Sequence, residues 1–375
     1  MKFLIINTDY RGFLRQLYAQ HPGLGERSYA EQMRVRNDSL FGVADFYSHA
    51  LRKLGHSAED IHANNEHMQR AWAREHGLKV GAPGRRWRFR LRRGVIPWIW
   101  RERDNRWLYE ILAAQIEHIR PDVILNEDVG GITASFLQQI KQYTRLLVGQ
   151  HAATTLPADM DYGVYDLAVS SFPPTVTFFR EKGIPAELWR LGFDPRVLDR
   201  LRDGGEKHDV TFVGSFMRVH NARRELIERV CARFPQTRTW CPKGDALPPD
   251  SPIHRCRAGE AWGLAMYQIL RDSRVTINHH GSIPPYANNL RLYEATGVGS
   301  FLLTDWKENL HEMFEPDREV ATYRTAEECA EKIAYYLEHS EERERIAHAG
   351  QERTLREHTY GQRMPQLLDL IGKRI

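Results

Sequence analysis

The chain has 375 residues, of which 42% are hydrophobic and 27% are charged, and this is the composition of a globular protein. Disordered, collagen-like and coiled-coil classes are excluded on those figures. The length exceeds that of one typical domain core, so we expect two domains. The formal net charge of +4 is too small to indicate a nucleic-acid partner by itself.

The cysteines are scattered and include no C-x-x-C pair, which is typical of reduced thiols and not of a disulfide framework or a zinc site. They are Cys231, Cys241, Cys256 and Cys329. The opening apolar run is too short for a signal peptide, and no stretch approaches the roughly 18–20 apolar residues that span a bilayer. We therefore expect a cytoplasmic protein whose membrane contact, if any, is peripheral at the inner face.

Along the first half of the chain, short aliphatic runs alternate with helical patterns, which is typical of a parallel sheet with crossover helices. Leu51 and Leu54 lie on the apolar face of the first helix, which Gly55 ends, and Pro121 ends the second. This half is predicted to be Rossmann-like. The predicted strands are 3–6, 56–61, 123–125, 146–148 and 167–169, and the helices are about 41–54 and 108–119.

A polar stretch at residues 203–209 separates this half from the next, where the alternation restarts. Thr325 and Glu328 form a capping box at the start of a later helix. The predicted fold class is therefore α/β, with two Rossmann-like domains that face each other across a cleft. The predicted strands of this half are 210–213, 275–277 and 301–303, with a helix at 222–234.

The first candidate site follows the strand at 210–213. Gly214 and Ser215 come directly after it, and a cluster of cations lies at the next helix start: Arg218, His220, Arg223 and Arg224. Glycine permits close backbone approach, a helix start offers free N–H groups, and arginine adds charge-assisted hydrogen bonds, which together suit a phosphate. A Gly-Ser turn after a strand is also common as plain turn chemistry.

The second candidate site is a predicted helix at residues 288–297. Asn288 and Asn289 begin it, and Glu294 lies one turn inside. A carboxylate there can accept two ribose hydroxyls while the helix start faces a diphosphate. The following strand places the helix start at the carboxyl edge of the sheet, where open α/β folds bind ligands. The alternative interpretation is a surface helix with a solvated glutamate.

These residues resemble the glycosyltransferases related to the spore-maturation protein CgeB, within the GT-B superfamily. The likeness covers most of the chain and is stronger after residue 160. It rests on Gly214-Ser215 with His220 and Arg223-Arg224, on Thr276-Ile277-Asn278, on the run from Asn289 to Ala295 with Gly297, on Ile346 to Tyr360, on Tyr165 to Ser171 and on Leu191 to Pro195.

The resemblance implies transfer of a sugar from a nucleotide-sugar to an acceptor hydroxyl without a bound metal. A UDP-sugar is the expected donor, with GDP- or dTDP-sugars as alternatives. Glu294 would accept the ribose hydroxyls, and Ser215, Arg218 and Arg291 would hold the diphosphate. The implied donor-binding residues are Gly214, Ser215, Arg218, His220, Arg224, His280, Asn288, Asn289, Arg291 and Glu294.

One position departs from the family. Many retaining members carry a further glutamate where this chain has Tyr286, so the stereochemical outcome stays open. The resemblance also implies an acceptor domain at 1–195, a linker at 196–208, a donor domain at 209–355 and a last helix at 356–375 that packs back on the first domain.

Charged residues at the predicted strand ends of the first domain are candidates for the base that activates the acceptor. They are Asp9, Glu127, Asp128 and His151, and Asp128 with His151 is the preferred pair. Each also has an ordinary interpretation as a capping or solvated residue.

The segment 85–107 contains nine arginines interleaved with five aromatic residues: Trp87, Phe89, Trp98, Trp100 and Trp107. Such mixtures suit anionic polymers or lipid headgroups. Arg88, Arg90, Trp98 and Trp100 are candidates for docking a glycan, a lipid-linked or other acceptor, or a membrane. The plain alternative is a hairpin whose tryptophans pack on the domain. Because the whole chain is nearly neutral, local docking is favoured over general nucleic-acid binding.

Two other functions stay open from the sequence. A sugar-nucleotide epimerase or hydrolase on the same fold would consume the donor without an acceptor. An anionic-polymer or nucleic-acid binding protein with a vestigial donor site would use residues 85–106 and bind in a salt-sensitive way. His279-His280 is not predicted to hold a metal because adjacent strand residues point to opposite faces, and one of the two is predicted to line the donor cleft.

Overall fold

The computed structural model describes the chain from residue 1 to 375 except residues 83, 93–95, 153–155, 157–159, 217–220, 243–246 and 281–284. The side chains of residues 86, 88, 90–92, 96, 100, 102 and 103 are also outside the described part.

The helices are α1 (Arg11–Gln20), α2 (Tyr29–Asp38), α3 (Phe46–Lys53), α4 (Glu66–Glu75), α5 (Arg106–Ile119), α6 (Ala134–Ile140), α7 (Pro173–Glu181), α8 (Asn221–Arg233), α9 (Ile253–Cys256), α10 (Gly263–Arg271), α11 (Arg291–Gly297), α12 (Ala326–Glu338), α13 (Ser340–Glu357) and α14 (Tyr360–Gly372). The strands are β1 (Lys2–Asn7), β2 (Ser57–His62), β3 (Gly84–Arg92), β4 (Ile96–Asp104), β5 (Val123–Asn126), β6 (Leu146–Gln150), β7 (Leu167–Ser170), β8 (Ala186–Leu188), β9 (His208–Val213), β10 (Arg238–Trp240), β11 (Arg257–Gly259), β12 (Ser273–Asn278), β13 (Leu302–Asp305) and β14 (Ala321–Tyr323).

The first sheet has the strand order β2-β1-β5-β6-β7-β8. Strand β1 runs parallel to both β2 and β5, and Phe3 lies opposite Ala58 and Val123. Strands β5, β6 and β7 are buried along their whole length, which is typical of a parallel sheet covered on both faces. This explains why their sequences are continuous aliphatic runs.

The second sheet has the strand order β11-β10-β9-β12-β13-β14, and its paired strands run parallel. The chain leaves β9 toward β10 and β11, then returns to the other side of β9 at β12. The strand order therefore reverses between β9 and β12. Ligands of open α/β sheets bind beside such a reversal, at the carboxyl ends of the strands.

The chain divides into two compact units. The first comprises Met1–Asp38, Leu51–Gln150 and Pro157–Leu167, and the second comprises Ser39–Ala50, His151–Leu156 and Ala168–Ile375. The domain limits predicted from the sequence, at 195, 208 and 355, stay a prediction.

The core of the second unit lies between its sheet and helices α8, α12 and α13. Val210, Ile277 and Leu303 supply it from neighbouring strands, and each has at most 1% of its surface exposed. Ile227 and Ile333 cover them from α8 and α12. Burial of these side chains gives the sheet its support, at about 1.5–3 kcal/mol for each large aliphatic residue.

Most predicted elements are present, and the capping box is confirmed in part because the Thr325 side chain accepts from the Glu328 backbone N–H. Two boundaries differ. The helix predicted at 41–54 begins only at Phe46, and Leu54, predicted on its apolar face, lies beyond its end and is 43% exposed. The helix predicted from Asn288 begins at Arg291 because the Asn289 side chain bonds to strand β12 instead.

Helix α14 packs within the second unit through backbone and side-chain hydrogen bonds. Phe193 forms a bridge with Thr359, and the Trp189 indole N–H donates to the Arg363 carbonyl. Tyr360, the first residue of α14, stacks on Phe46 of α3. These contacts secure the last helix of the chain.

Among the helices described above, none has the length and apolar character that crossing a bilayer would need.

His358, between α13 and α14, is held as a neutral imidazole. Its Nδ1 lies 2.8 Å from the Arg363 Nη2, and its Nε2 lies 2.7 Å from the Met313 carbonyl oxygen. The guanidinium only donates, so Nδ1 must accept and Nε2 must carry the proton. The pKa of His358 is lowered to about 4, chiefly by burial. Arg363 and Arg353 also lower this pKa, and the Met313 carbonyl and Glu357 oppose the shift.

We expect acid to destabilise the protein through His358. Its folded pKa lies below the usual 6.5, so its contribution is complete above pH 6.5 and is lost as pH falls toward 4. His358→Gln keeps one donor and one acceptor but does not titrate. Between pH 6.5 and 4 this variant should therefore lose about 3 kcal/mol less unfolding free energy than the wild type. Urea unfolding between pH 8 and 4 measures it.

The control is His348→Gln, because the side chain of His348 is 72% exposed. That variant should follow the wild-type curve. Equal slopes for wild type and His358→Gln would contradict the assignment of a neutral buried imidazole.

Candidate functional site

The loop after β9 begins the site at the carboxyl edge of the second sheet. The Gly214 N–H donates to the Trp240 carbonyl, and a Cβ added to Gly214 would lie 2.8 Å from the Phe212 ring. Ser215 follows Gly214, and the buried Phe216 ends the described part of this loop. Arg218 and His220 lie outside the described residues.

Arg223 connects this loop to the next strand. Its Nη1 donates to the Ser215 carbonyl at 3.1 Å, and its Nη2 donates to the His279 carbonyl at 2.8 Å. One guanidinium on α8 thus bonds the ends of both β9 and β12. The neighbouring Arg224 turns toward Glu228 on its own helix, with 3.9 Å between Nε and the carboxylate oxygen.

Asn278, the last residue of β12, positions the start of α11 through an amide pair. The Asn289 Nδ2 donates to the Asn278 Oδ1 at 2.8 Å, and the Asn278 Nδ2 donates to the Thr304 Oγ1 of β13 at 3.0 Å. The Asn289 Oδ1 also accepts from the Leu292 N–H at 3.2 Å and so caps the helix. One carboxamide therefore joins two strands and a helix.

Glu294 lies in α11 with only 6% of its surface exposed. Its Oε2 accepts from the Arg291 Nη1 at 2.7 Å, and the Arg291 Nη2 donates to the Val213 carbonyl at the end of β9 at 3.2 Å. Burial raises the pKa of Glu294, and Arg291 opposes that shift. The structure thus brings Glu294 and Arg291, both predicted to bind a donor, to the edge where the strand order reverses.

Asn288 is held by its side chain. Its Oδ1 accepts from the Ser171 hydroxyl at 2.6 Å, and its Nδ2 donates to the Ala152 carbonyl at 2.5 Å. Tyr286, two residues earlier, packs edge-on against Phe172 with 5.9 Å between ring centroids. The Asn288 side chain is therefore bonded within the protein.

The two adjacent histidines after β12 have different surroundings. His280 has no exposed side-chain surface, and its Nδ1 lies 2.7 Å from the Asp305 Oδ1. His279 is 13% exposed, and burial lowers its pKa to about 4, helped by Arg223 and Lys307 and opposed by Asp305. His280, predicted to contact a ligand, is thus covered because it turns inward to Asp305, and His279 is the exposed member.

Asp305 ends β13 between the two histidines and Lys307. Burial raises the pKa of its carboxyl, but His280, His279 and Lys307 outweigh burial and hold that pKa well below its usual range. Lys307 lies 3.2 Å from the second carboxylate oxygen. Asp305 is therefore an anion in a cluster with two histidines and the Lys307 ammonium.

A cleft of about 440 Å³ opens next to this cluster. The first turns of α8 and α12 form two of its walls, and the guanidinium of Arg324 lies 3.9 Å from the centroid of the Trp306 ring. His279, Asp305, Lys307 and Tyr323 line its floor. The cleft is thus polar and carries both signs of charge.

In the first unit, Asp9 is part of a buried ion-pair cluster. Its oxygens lie 2.5 Å from the Arg36 Nη2 and 3.4 Å from the His62 Nδ1. Burial raises the pKa of Asp9, but Arg36 and His62 outweigh burial and hold that pKa well below its usual range. Such a carboxylate is a weak base, which makes Asp9 a poorer candidate for the base than Asp128.

Asp128 follows β5 in the first unit and is half-buried. Burial raises its pKa, against hydrogen bonds from the Thr8 side chain and the Gly131 N–H. A Cβ added to Gly131 would collide with the Asp128 carboxylate, so a larger residue there would displace that side chain. A raised pKa is what a general base near neutral pH needs.

The other two base candidates are also half-buried. Glu127 lies in the first unit, beside Asp128, and its N–H donates to the Ile6 carbonyl. His151 lies in the second unit, where its carbonyl accepts from the Ser170 hydroxyl at 2.5 Å.

The predicted docking residues lie on an antiparallel hairpin of β3 and β4. Register places Arg88 opposite Trp100 and Arg90 opposite Trp98, and the Trp98 side chain is 52% exposed. The side chains of Arg88, Arg90 and Trp100 are outside the described part. Trp107 lies in the first turn of α5 instead and is buried with Trp72, so for this one residue the packing interpretation is correct.

Within the described residues, no three His, Cys, Asp or Glu side chains come together as a metal site.

Comparison with known families decides the class of protein. The family described as glycosyl transferase-like matches residues 208–369. This range contains the strands of the second sheet and the loops at their carboxyl ends. The protein is a transferase. A search of curated protein sequences gives no match.

Solved structures confirm the predicted fold of this transferase. HepE from Anabaena, crystallised with UDP-glucose, has a TM-score of 0.58 at 13% identity over 100% of both chains. Sucrose-phosphate synthase from Thermosynechococcus elongatus has a TM-score of 0.54 at 12% identity, and the match covers 100% of this chain and 98% of that protein. A glycosyltransferase from Rickettsia africae has a TM-score of 0.58 at 11% identity, with the same coverage of both chains. These likenesses show the two-sheet GT-B fold.

Several residues of this candidate site were not among the predicted donor-binding residues. Asp305 and Lys307 were not noted at all, and Asn278, Arg223 and His279 were noted in their motifs without an individual role. A polar residue at the end of each strand, Asn278 for β12 and Asp305 for β13, was a usable signal because these ends meet at one edge.

We expect Arg223→Met to lower the free energy of unfolding of the transferase by about 2–4 kcal/mol, because two carbonyls lose a charged donor. Urea denaturation measures this change.

Arg229→Met, on the same helix, is the matched control. The Arg229 side chain is 61% exposed in an ion pair with Glu327, and its loss should cost less than about 1 kcal/mol. Similar losses in both variants would refute the bridging role of Arg223.

Proposed function

We propose that this transferase moves a sugar from a UDP-sugar to an acceptor hydroxyl, and that Glu294 binds the ribose of the donor. The observation that carries the proposal is the buried Glu294–Arg291 pair beside the end of β9, within the family-matched region. The motifs around it favour the CgeB-related group within the GT-B fold.

A buried carboxylate is costly unless hydrogen bonds and opposite charge compensate it. Arg291 supplies the opposite charge and one hydrogen bond to Glu294. Ionised carboxylates accept several hydrogen bonds, so two ribose hydroxyls would satisfy the remaining lone pairs. The Glu294 carboxylate is thus better suited to accept hydrogen bonds from a diol than to be solvated by water.

The donor diphosphate would lie over the loop after β9. Gly214 allows close backbone approach there, and Ser215, Arg218, His220 and Arg224 would supply donors and positive charge. Asn288 and Asn289 would fix the facing segment through their bonds to Ser171 and Asn278. We propose that these groups neutralise the leaving diphosphate without a bound metal.

The choice of UDP is supported by HepE, whose structures contain UDP-glucose or UDP. Its fold matches this chain along the whole length. The acceptor would be a glycan, a lipid-linked compound or another hydroxyl compound.

We expect UDP to raise the melting temperature of the protein. At about 100 times its dissociation constant, a ligand adds about 2.7 kcal/mol of stability. Glu294→Ala should remove most of this shift because the ribose hydroxyls lose their acceptor. Glu294→Gln, which keeps one carbonyl oxygen, should retain part of it. Thermal shift titration with UDP, GDP, CDP, ADP and dTDP measures both.

The control is Glu331→Ala on α12, an exposed glutamate. This variant should give the wild-type shift. No response to any nucleotide in a folded wild type would overturn the proposed donor site, and a response that survives in Glu294→Ala would overturn only the role of Glu294.

We further propose Asp128 as the base that activates the acceptor, because burial raises its pKa, whereas the Asp9 carboxylate is engaged in an ion pair with Arg36. Asp128→Asn should lower kcat by about 10²–10⁴-fold and leave the KM for donor unchanged. Release of UDP from UDP-glucose, with water and then with an acceptor panel, measures this.

Glu127→Gln is the neighbouring comparison. If Glu127→Gln loses kcat and Asp128→Asn does not, the base is Glu127. If neither does, the acceptor is activated elsewhere.

A further inference from the structure

The hairpin of β3 and β4 concentrates the positive charge of the protein. Residues 84–104 contain eight arginines and two acidic residues, a net charge of +6, against +4 for the whole chain. The remainder of the protein is therefore slightly negative. A basic surface this local attracts an extended anionic partner.

Large apolar side chains are exposed on the same hairpin. Trp87 is 65% exposed, and Phe89 and Ile99 are each 61% exposed. Phe89 lies directly opposite Ile99, and Trp87 lies opposite Arg101, so these residues share one face. Trp98 is 52% exposed on the other face. Clustered exposed apolar groups of this size mark an interaction surface.

Among the described residues, β3 and β4 pair only with each other. A two-stranded hairpin is marginally stable in water unless something covers it. Nine residues per strand give the hairpin a length of about 30 Å, which is a large area for a contact surface.

We propose that this hairpin docks the protein on an anionic lipid bilayer. Trp87, Phe89 and Ile99 enter the interfacial region, and Arg85 and Arg101 bind headgroup phosphates from the same face. Aromatic and aliphatic side chains beside cations are the combination that binds membrane surfaces. Each arginine near an anionic leaflet adds to the attraction. The proposal goes beyond sugar transfer and does not depend on the identity of the donor.

A nucleic-acid partner fits these residues less well. Single strands bind by stacking bases on open aromatic faces. The guanidinium of Arg101 lies over the Trp87 ring, 4.6 Å from its centroid, and so occupies one face of it. Ile99 and Pro97 are also exposed and offer no stacking surface, whereas both suit a lipid interface.

Vesicle sedimentation with the full-length protein tests the proposal. One set of vesicles contains phosphatidylcholine alone, and the other contains equal parts of phosphatidylcholine and phosphatidylglycerol. We expect binding to the second set. Trp87→Ser combined with Phe89→Ser should weaken it about tenfold or more by removing the apolar contact. Arg85→Glu combined with Arg101→Glu should weaken it comparably and abolish its dependence on the anionic lipid.

Matched controls use exposed residues elsewhere. Leu54→Ser and Tyr335→Ser remove apolar side chains that are each 43% exposed, and Arg345→Glu reverses a charge that is 67% exposed. All three should bind vesicles like the wild type. Thermal unfolding of each variant checks its fold, and Ile99→Ser replaces the double variant if that one is unstable.

Three results would overturn the proposal. The first is no binding to either vesicle set. The second is wild-type binding by the folded Trp87→Ser, Phe89→Ser protein and by Ile99→Ser. The third is tighter binding to a single-stranded polyuridine RNA than to anionic vesicles, lost in the same variants, which would make the surface a nucleic-acid site.

Discussion

The buried pair of Arg291 and Glu294 is the interaction on which the candidate site depends. One guanidinium bonds both to the Glu294 carboxylate and to the Val213 carbonyl, so helix α11 and the end of strand β9 hold a common position. Without Arg291 the carboxylate would be a buried charge without compensation, which is among the most costly arrangements in a protein interior. Because that helix also follows the reversal of strand order, the same contact that maintains the fold presents an acceptor of hydroxyl hydrogen bonds.

Much of the architecture was predictable because parallel sheets have a simple sequence pattern. The runs at 123–125 and 210–213 are short and fully buried as expected. Strands β8, β10 and β11 were missed, since each has only three residues and no periodic pattern. The late start of α11 was missed because it depends on a bond between Asn289 and Asn278, which no local propensity reveals.

The site was less predictable than the fold because burial and pairing decide what a charged residue does. Asp9 looked like a strand-end carboxylate, but Arg36 and His62, distant in sequence, take both of its oxygens. His279 and His280 are indistinguishable by type, yet only His280 turns inward to Asp305. Glu294 was predictable because its helix lies between two recognisable strands, and this placed it at the carboxyl edge.

The amide pair of Asn278 and Asn289 has a consequence for how the site responds to acidity. Carboxamides carry no proton that titrates, so this pair keeps its hydrogen bonds while Asp305, His279 and the carboxylates around it change charge. The start of α11 is therefore held by an uncharged pair of side chains among several ionisable ones. The backbone at the start of α11 should therefore keep its position when neighbouring groups gain or lose protons.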